Sequence, residues 1–329
     1  MIMQLDSHPV ALADLRAAQH RLAPHARTTP LVPSRVLSAA SGGEVFLKLE
    51  NLQLTGSFKF RGAYNRIATL PKPLQRRGVI TVSAGNHAQG VALTAKLLGL
   101  SATVVMPLAA PKSKQAATCG YGARVQLIGE TFDAARAAML EQAAVRGLTV
   151  VDPYDDPQVI AGQGTVGLEV LAALPAIDTL LVPVGGGGLI AGIALAAKAL
   201  SPRTRIVGVQ SANVHGMAAS LAAGRMVTHR KAATLADGTA VATPGVQPFA
   251  LVRELVADIV VVSEEEIQHA MCVLLQRHKV VAEGAGALTT AALLNNKLPA
   301  AWRVNQRVAA IVSGGNVDLG VLAGLCATR

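Results

Sequence analysis

Thr179-Leu180-Leu181-Val182-Pro183-Val184-Gly185-Gly186-Gly187-Gly188-Leu189-Ile190-Ala191-Gly192 is the stretch that decides the fold. A leucine- and valine-rich run of strand length meets four consecutive glycines, and an apolar, alanine-rich segment follows to Leu200. From Leu180 to Ala197 no residue is charged, which approaches the ~20 apolar residues that cross a bilayer. Pro183 and the glycines interrupt that run, so it reads as a buried strand, a glycine loop and a helix that is apolar all round. Glycines at such a turn let backbone N–H groups converge where the helix dipole adds positive potential. The result is an anion cradle, most naturally for a phosphate. Close packing of helix on strand is the plainer use of the same glycines. Gly186, Gly188 and Ala191 also match G-x-G-x-x-A, but a dinucleotide site wants an acidic residue after the next strand. That strand, Arg205–Val209, runs into Gln210-Ser211 with no carboxylate, and no Walker lysine follows the glycines.

The same alternation extends along the chain. Strands are expected at Glu44–Leu49, Gly78–Ser83, Thr103–Met106, Arg124–Ile128, Ile259–Val262 and Val308–Val312. Helices are expected at Ser57–Thr69, His87–Leu98, Lys112–Thr118, Phe132–Arg146, Thr165–Leu174, Leu189–Leu200, Glu264–Gln276 and Gly284–Leu294. Ser263 with Glu266 reads as a capping box. Strand–helix alternation of this kind gives an α/β fold, doubly wound, with mostly parallel sheets flanked by helices.

Composition excludes several classes. The 329 residues are 51% hydrophobic and 15% charged, too apolar for disorder and long enough for two domains. The net charge of +10 raises the question of nucleic acid. Basic residues cluster only at Arg76-Arg77 and His229-Arg230-Lys231, and aromatics make up 3%, so no stacking platform is expected. Cys119, Cys272 and Cys326 form no CxxC pair, which argues against zinc or a disulfide framework and fits a reducing cytosol. The start of the chain, Met1 to Leu12 with Asp6 and His8, is not expected to be a signal peptide.

Ligands of open α/β sheets sit at the carboxyl ends of strands, so the loops there carry the chemistry. After Glu44–Leu49 comes Gly56-Ser57-Phe58-Lys59-Phe60-Arg61-Gly62. A lysine desolvated near a helix N-terminus is a nucleophile or Schiff-base former, although an ordinary solvated helix lysine has the same spacing. After Gly78–Ser83 comes Ala84-Gly85-Asn86-His87, a loop that either grips a carboxylate or is merely capped by Ser83. After Val308–Val312 comes Ser313-Gly314-Gly315-Asn316, where Ser313 is an N-cap or a hydroxyl offered to a ring nitrogen. A phosphate cradle, a helix-start lysine, an anion-gripping loop and a neutral hydroxyl together point to pyridoxal phosphate.

These motifs, in this order from about Val10 to Leu319, resemble the fold-type II pyridoxal-phosphate enzymes of tryptophan synthase β-like fold. They are most similar to the short catabolic threonine dehydratases (threonine ammonia-lyases). The resemblance implies that Lys59 carries the cofactor as a Schiff base and later removes the substrate α-proton. It places Phe58 beside the ring, Gly185, Gly186, Gly187, Gly188 and Leu189 at the phosphate, Asn86 at the ring 3-oxygen and Ser313 at the pyridine nitrogen. Ser83, Asn86 and His87 would hold the substrate carboxylate, and Gly238, in Ala236-Asp237-Gly238, would lie on the opposite face of the cofactor. The implied reaction is β-elimination of L-threonine to 2-oxobutyrate and ammonia, with L-serine to pyruvate beside it, in a cytoplasmic homodimer or homotetramer.

The resemblance also frames the rivals. Serine racemases of this fold carry a second base where this chain has Ala84, and a metal bound near the positions of Gln210 and Gly216; elimination without a metal is therefore expected. A hydroxyaspartate dehydratase stays open. Catabolic relatives are activated by AMP, with Leu54, Thr55, Gln89, Gly120 and Asn316 as candidate positions. Leu54 and Gly120 stand where the family has an arginine and an aspartate. Two further classes are a nicotinamide oxidoreductase, disfavoured by the missing acid, and a non-catalytic metabolite-binding protein, disfavoured by Lys59. The expected division is a large cofactor domain from residues 1–70 and 151–329, with a small domain at 71–150 that closes over the substrate.

Overall fold

A computed structural model describes residues 9–230 and 232–327, the side chains of 326 and 327 excepted. Asp6, His8, Lys231 and the Cys326 thiol therefore lie outside the described residues. Ten strands form two sheets. The six-stranded sheet holds β1 (Leu31–Pro33), β2 (Glu44–Leu49), β7 (Thr179–Pro183), β8 (Arg205–Ser211), β9 (Asp258–Val262) and β10 (Arg307–Val312) in the order β1-β2-β10-β7-β8-β9. Only β1 is antiparallel to its neighbour in that sheet. The four-stranded sheet is parallel throughout, with β3 (Val79–Val82), β4 (Ala102–Met106), β5 (Arg124–Leu127) and β6 (Thr149–Val150) in the order β5-β4-β3-β6.

The large sheet is a sandwich filling. Every residue of β7 is buried, as a central parallel strand covered by helices on both faces requires. One apolar layer gathers Leu180, Val182, Ile190 and Ile193 with Val166 of the helix Pro157–Ala173. The other gathers Leu181, Val308 and Val312 with Leu288 and Ala292 of the helix Gly284–Leu294. The small sheet has its own two layers, one around Val79, Val91 and Val104, the other around Ile80, Val105 and Met139.

Several boundaries move, for physical reasons. The helix expected at Thr165–Leu174 begins at Pro157, where the Asp156 side chain accepts from the N–H groups of Gln158 and Val159 at 2.8 and 3.1 Å. Gly162 and Gly164 in its first half look like breakers but serve close approach. A Cβ on Gly162 would lie 2.6 Å from the Arg61 carbonyl, and one on Gly164 would lie 2.8 Å from that of Gly192. The helix expected at Glu264–Gln276 stops at Val273 and widens into a π turn, Leu274–His278, closed by Lys279 at φ 59°. The capping box at its start is present, with Ser263 N–H donating to Glu266 at 2.8 Å. Ser83 does not cap the helix Asn86–Leu98; its Oγ accepts from the Gly85 N–H at 3.2 Å. Ser313 is no N-cap either, since the next helix starts at Leu319.

Candidate active site

In each sheet the chain reverses its direction of winding once. β7, β8 and β9 step one way while β10 lies on the other side of β7; β3, β4 and β5 step one way while β6 lies on the other side of β3. A crevice opens at such a switch point, outside the carboxyl ends of the strands. The loops there are Gly185–Gly188 and Ser313–Asn316 in the large sheet, and Ser83–Gly85 and Val151–Asp156 in the small one. The four loops meet. Lys59 Nζ donates to the Pro153 carbonyl at 2.8 Å. The Tyr154 ring lies against Gly186, where any Cβ would overlap it. Imidazole Nε2 of His87 bonds the Val151 carbonyl at 3.0 Å.

Lys59 opens the helix Lys59–Ala68, and the strand end of β10 positions it. Ser57 bridges Gly314, and the Phe58 N–H donates to the Ser313 carbonyl at 3.1 Å. The ammonium stands 5.3 Å from the centre of the Phe58 ring. Burial pulls its pKa down to about 8, against the opposing pull of Asp152 and Glu283. The lowered pKa brings the neutral amine, which a nucleophile needs, closer to reach at physiological pH. Two residues further on, Arg61 is 1% exposed and donates to Glu50 and Glu169. Lys48, equally buried, completes the cluster on Glu169 and the Thr29 carbonyl. Burial works against the Arg61 charge, but the two carboxylates outweigh it and its pKa rises. This cluster holds the helix that carries Lys59.

The glycine loop leads directly into the helix Gly188–Leu200, which has no side-chain cap. Its first N–H groups are thus left for a ligand. Gly187 takes φ 100°, which an L side chain rarely adopts, and a Cβ there would lie 2.6 Å from Met217 and 2.7 Å from Pro248. Leu189 is buried in the first turn. Packing and anion binding both use these glycines: Gly186 takes the Tyr154 ring, and the uncapped N–H groups remain. Ser313 is 2% exposed, and its Oγ has only a long 3.4 Å bond, to the Ala285 carbonyl. An uncapped glycine helix start, a buried amine of lowered pKa and a buried, loosely engaged hydroxyl fit pyridoxal phosphate: one site for the phosphate, one for the aldehyde and one for the ring nitrogen.

Asn86 lies at the centre of a relay. Its Nδ2 donates to Glu283 at 2.6 Å and its Oδ1 accepts from Asn316 Nδ2 at 2.7 Å. Asn316 donates in turn to the Thr55 carbonyl at 2.6 Å. The resemblance assigns His87, with Ser83 and Asn86, to the substrate carboxylate; in this structure its imidazole bonds the Val151 carbonyl at 3.0 Å. The Val151 carbonyl only accepts, so Nε2 carries the hydrogen and Nδ1 is bare, buried and without a protein partner. Burial, reinforced by the Lys59 charge, lowers the His87 pKa to about 3, which favours the neutral ring. The uncapped start of the helix Asn86–Leu98, to which the His87 N–H belongs, and Ser83 offer further donors to a carboxylate. Gly238 lies beside Glu283 and Asn86, and next to it Asp237 pairs with Lys114 of the small-sheet helix Lys112–Gly120 at 2.5 Å.

Of the positions considered for AMP, Thr55 and Asn316 are brought together by the relay. Gln89 is buried one turn into its helix, Leu54 packs partly buried beside Phe60 and Tyr64, and Gly120 ends its helix with open space at its Cβ. Gln210 spends its amide on the Val184 carbonyl and the Ala218 N–H, at 3.2 and 2.9 Å. Two participants carried no motif signal: Glu283 and the Val151–Asp156 loop with its Tyr154. The only hint was a Pro-Tyr-Asp-Asp turn after a strand too short to detect.

The fold is that of an α/β enzyme, and the crevice between its two sheets fits pyridoxal phosphate. A sequence model described as "Pyridoxal-phosphate dependent enzyme" matches residues 22–314, and the chain belongs to that family. The chain is 53% identical over 320 residues to a Staphylococcus aureus (strain USA300) protein named "L-threonine dehydratase catabolic TdcB", covering 97% of this chain and 92% of that one. Among solved structures, maize serine racemase matches with a TM-score of 0.92 at 38% identity, over 97% of both chains. The processed form of threonine deaminase isoform 2 from Solanum lycopersicum matches with a TM-score of 0.90 at 38% identity, over 96% of this chain and 86% of that one.

Proposed function

We propose that this chain deaminates L-threonine to 2-oxobutyrate and ammonia by β-elimination, and L-serine to pyruvate as a secondary activity. The observation that carries it is the buried Lys59 amine of lowered pKa, set where the switch points of both sheets meet. The relative named for threonine dehydration, at 53% identity, supports the choice of substrate. When bound, pyridoxal phosphate supplies the electron sink that makes the α-proton of an amino acid removable. Lys59 Nζ, buried and of lowered pKa, is the group that would take that proton. The N–H groups of Gly185 to Leu189 would hold the phosphate, Phe58 would flank the ring, and the Ser313 hydroxyl would serve the ring nitrogen. A neutral hydroxyl there does not draw in a proton as a carboxylate would, which favours prompt loss of the β-hydroxyl. Asn86 would meet the ring 3-oxygen, while Ser83 and the helix start at Asn86 and His87 would hold the carboxylate. Gly238 leaves room on the opposite face.

Serine racemisation is the second reading, favoured by the likeness to maize serine racemase. It needs a second proton carrier away from Lys59, and Ala84 has no proton to exchange. The part of the chain at 71–150 is proposed to close over the substrate. The Lys114–Asp237 pair and the Ser113–Asp318 hydrogen bond of 3.3 Å already join the two sides of the crevice. Among the described residues no helix is long and apolar enough to cross a membrane. A cytoplasmic homodimer or homotetramer is the assembly proposed, on the family resemblance alone. AMP activation is proposed only through Thr55, Gln89 and Asn316, because Leu54 and Gly120 bring no polar side chain.

The deciding measurement is 2-oxo acid release from pyridoxal-phosphate-loaded protein given L-threonine, with L-serine in parallel. Rapid 2-oxobutyrate formation is the expected result. D-serine formed faster than pyruvate would replace the lyase by the racemase.

A further inference from the structure

Glu283 belongs to none of the sequence motifs, yet its carboxyl lies in the middle of the site. It occupies the N-cap position of the helix Gly284–Leu294, but its side chain caps nothing. Acidic groups at helix starts are ordinarily stabilised by the helix's own N–H groups. Here Oε1 turns away and accepts from Asn86 Nδ2 at 2.6 Å. It lies 3.4 Å from where a Cβ on Gly238 would stand, and a Cβ on Gly314 would overlap it. Glu283 thus fills the space between the loop facing the substrate and the loop after β10, and it is 5% exposed.

The polarity of the relay is forced. The Thr55 carbonyl can only accept, so the atom of Asn316 that meets it is Nδ2. Nδ2 then also meets Asn86, so the Asn86 atom there must be Oδ1. That turns Asn86 Nδ2 toward Glu283. One of its two hydrogens goes to the carboxyl, and the other is left for a ligand.

We propose that Glu283 is a positioning residue of this active site: it locks the Asn86 amide so that the second N–H is presented to the cofactor and substrate. This rests on the dehydratase reading only for the identity of the amino acid. Burial, with Asp237 adding to it, pushes the Glu283 pKa up to about 8; the bonds from Asn86 and the Asn316 backbone and the Lys114 charge oppose the rise. Lys59 is the remaining charged group facing it. Burial thus favours the neutral carboxyl, and Oε1 accepts from Asn86 in either protonation state.

The test compares pyridoxal-phosphate-loaded wild type, Glu283→Gln, Glu283→Ala, Asn86→Ala and the Glu283→Ala/Asn86→Ala double variant. Glutamine keeps an Oε1 acceptor and cannot ionise. Its cofactor absorption band and its KM at pH 7 should match wild type, while any alkaline shift of the wild-type band with a midpoint near pH 8 should vanish. Alanine should raise KM and weaken cofactor binding by about tenfold, move the absorption band, and lower kcat less than it raises KM. In the double variant, loss of Glu283 should add nothing to loss of Asn86, since both act through one group. Losses that multiply, or an alanine variant with wild-type band and KM, would overturn the proposal. If the alanine variant does not fold, Glu283→Gln decides: a glutamine variant with a displaced band or a tenfold higher KM at pH 7 rejects the positioning role. If wild type eliminates neither threonine nor serine, the substrate reading fails, while the absorption band and cofactor affinity still judge Glu283.

Discussion

Lys59 Nζ reaches across from the large sheet to the Pro153 carbonyl of the small one, 2.8 Å away. The amine is therefore aimed before any substrate arrives, and its lowered pKa of about 8 follows from the same burial. Lys59→Ala should lower kcat by about 10³-fold or more, because nucleophile and base are lost together. It should also abolish the visible absorption of the Schiff base, which a spectrum of the cofactor-soaked variant reads directly.

Gly186 has the Tyr154 ring where a side chain would begin. Overpacking of this kind costs about 1–3 kcal/mol, so Gly186→Ala should weaken cofactor binding by about ten- to hundredfold. Equilibrium dialysis with pyridoxal phosphate measures it. Restoration of affinity by a second change, Tyr154→Ala, would identify the clash as the cause.

His87 provides a pH prediction for the apoprotein. Its folded-state pKa is about 3, against 6.5 for the unfolded chain. Between those values the unfolded chain binds more protons, so stability from this group is present above about pH 6.5 and is lost as pH falls toward 3. Glu283 has the opposite sign: its folded pKa is about 8 against 4.5, so its contribution is full below about 4.5 and declines as pH rises through 8. Urea midpoints between pH 4 and 6 should therefore fall with acid less steeply in His87→Gln than in wild type. An unchanged slope would remove His87 from the acid sensitivity.

Lys114 and Asp237 are 27% and 56% exposed. A pair this wet contributes less than about 1 kcal/mol to stability, so Lys114→Ala should leave the melting temperature nearly unchanged. If the pair helps to draw the two sides of the crevice together, KM for threonine should rise several-fold while cofactor affinity holds. Steady-state kinetics beside a thermal melt separates the two effects.

Arg61 is the opposite case. It is buried against two carboxylates, and removing one partner of such a cluster costs about 3–5 kcal/mol because a buried charge is left without its counterion. Arg61→Ala should show that loss in chemical denaturation, and most of the activity should go with it, since the helix it holds begins at Lys59.

Much of the site is legible in the sequence because its parts sit where strands end. The β7 strand, its glycines and the following helix are one local pattern, and Lys59, Asn86 and Ser313 stand at similar strand ends. Glu283 and Tyr154 are not legible, since their roles arise from contacts between distant segments: Asn86 is 197 residues from Glu283. The strand before Tyr154 has two residues, too few for any periodicity to register. The bond from the His87 imidazole to the Val151 carbonyl is likewise not legible, since sequence spacing does not reveal a partner 64 residues away.

The order of strands also governs when this protein can be assembled. The small sheet is drawn from one continuous stretch, Val79 to Val150, so its pairings close over short separations and can form early as the chain leaves the ribosome. The large sheet is different: β10, residues 307–312, inserts between β2 and β7. Until that last strand emerges, β2 and β7 each present a bare, apolar edge. Lys59, made long before β10, therefore waits for that strand before its surroundings are complete, and during that wait the open edges are where the newborn chain is most exposed to wrong partners.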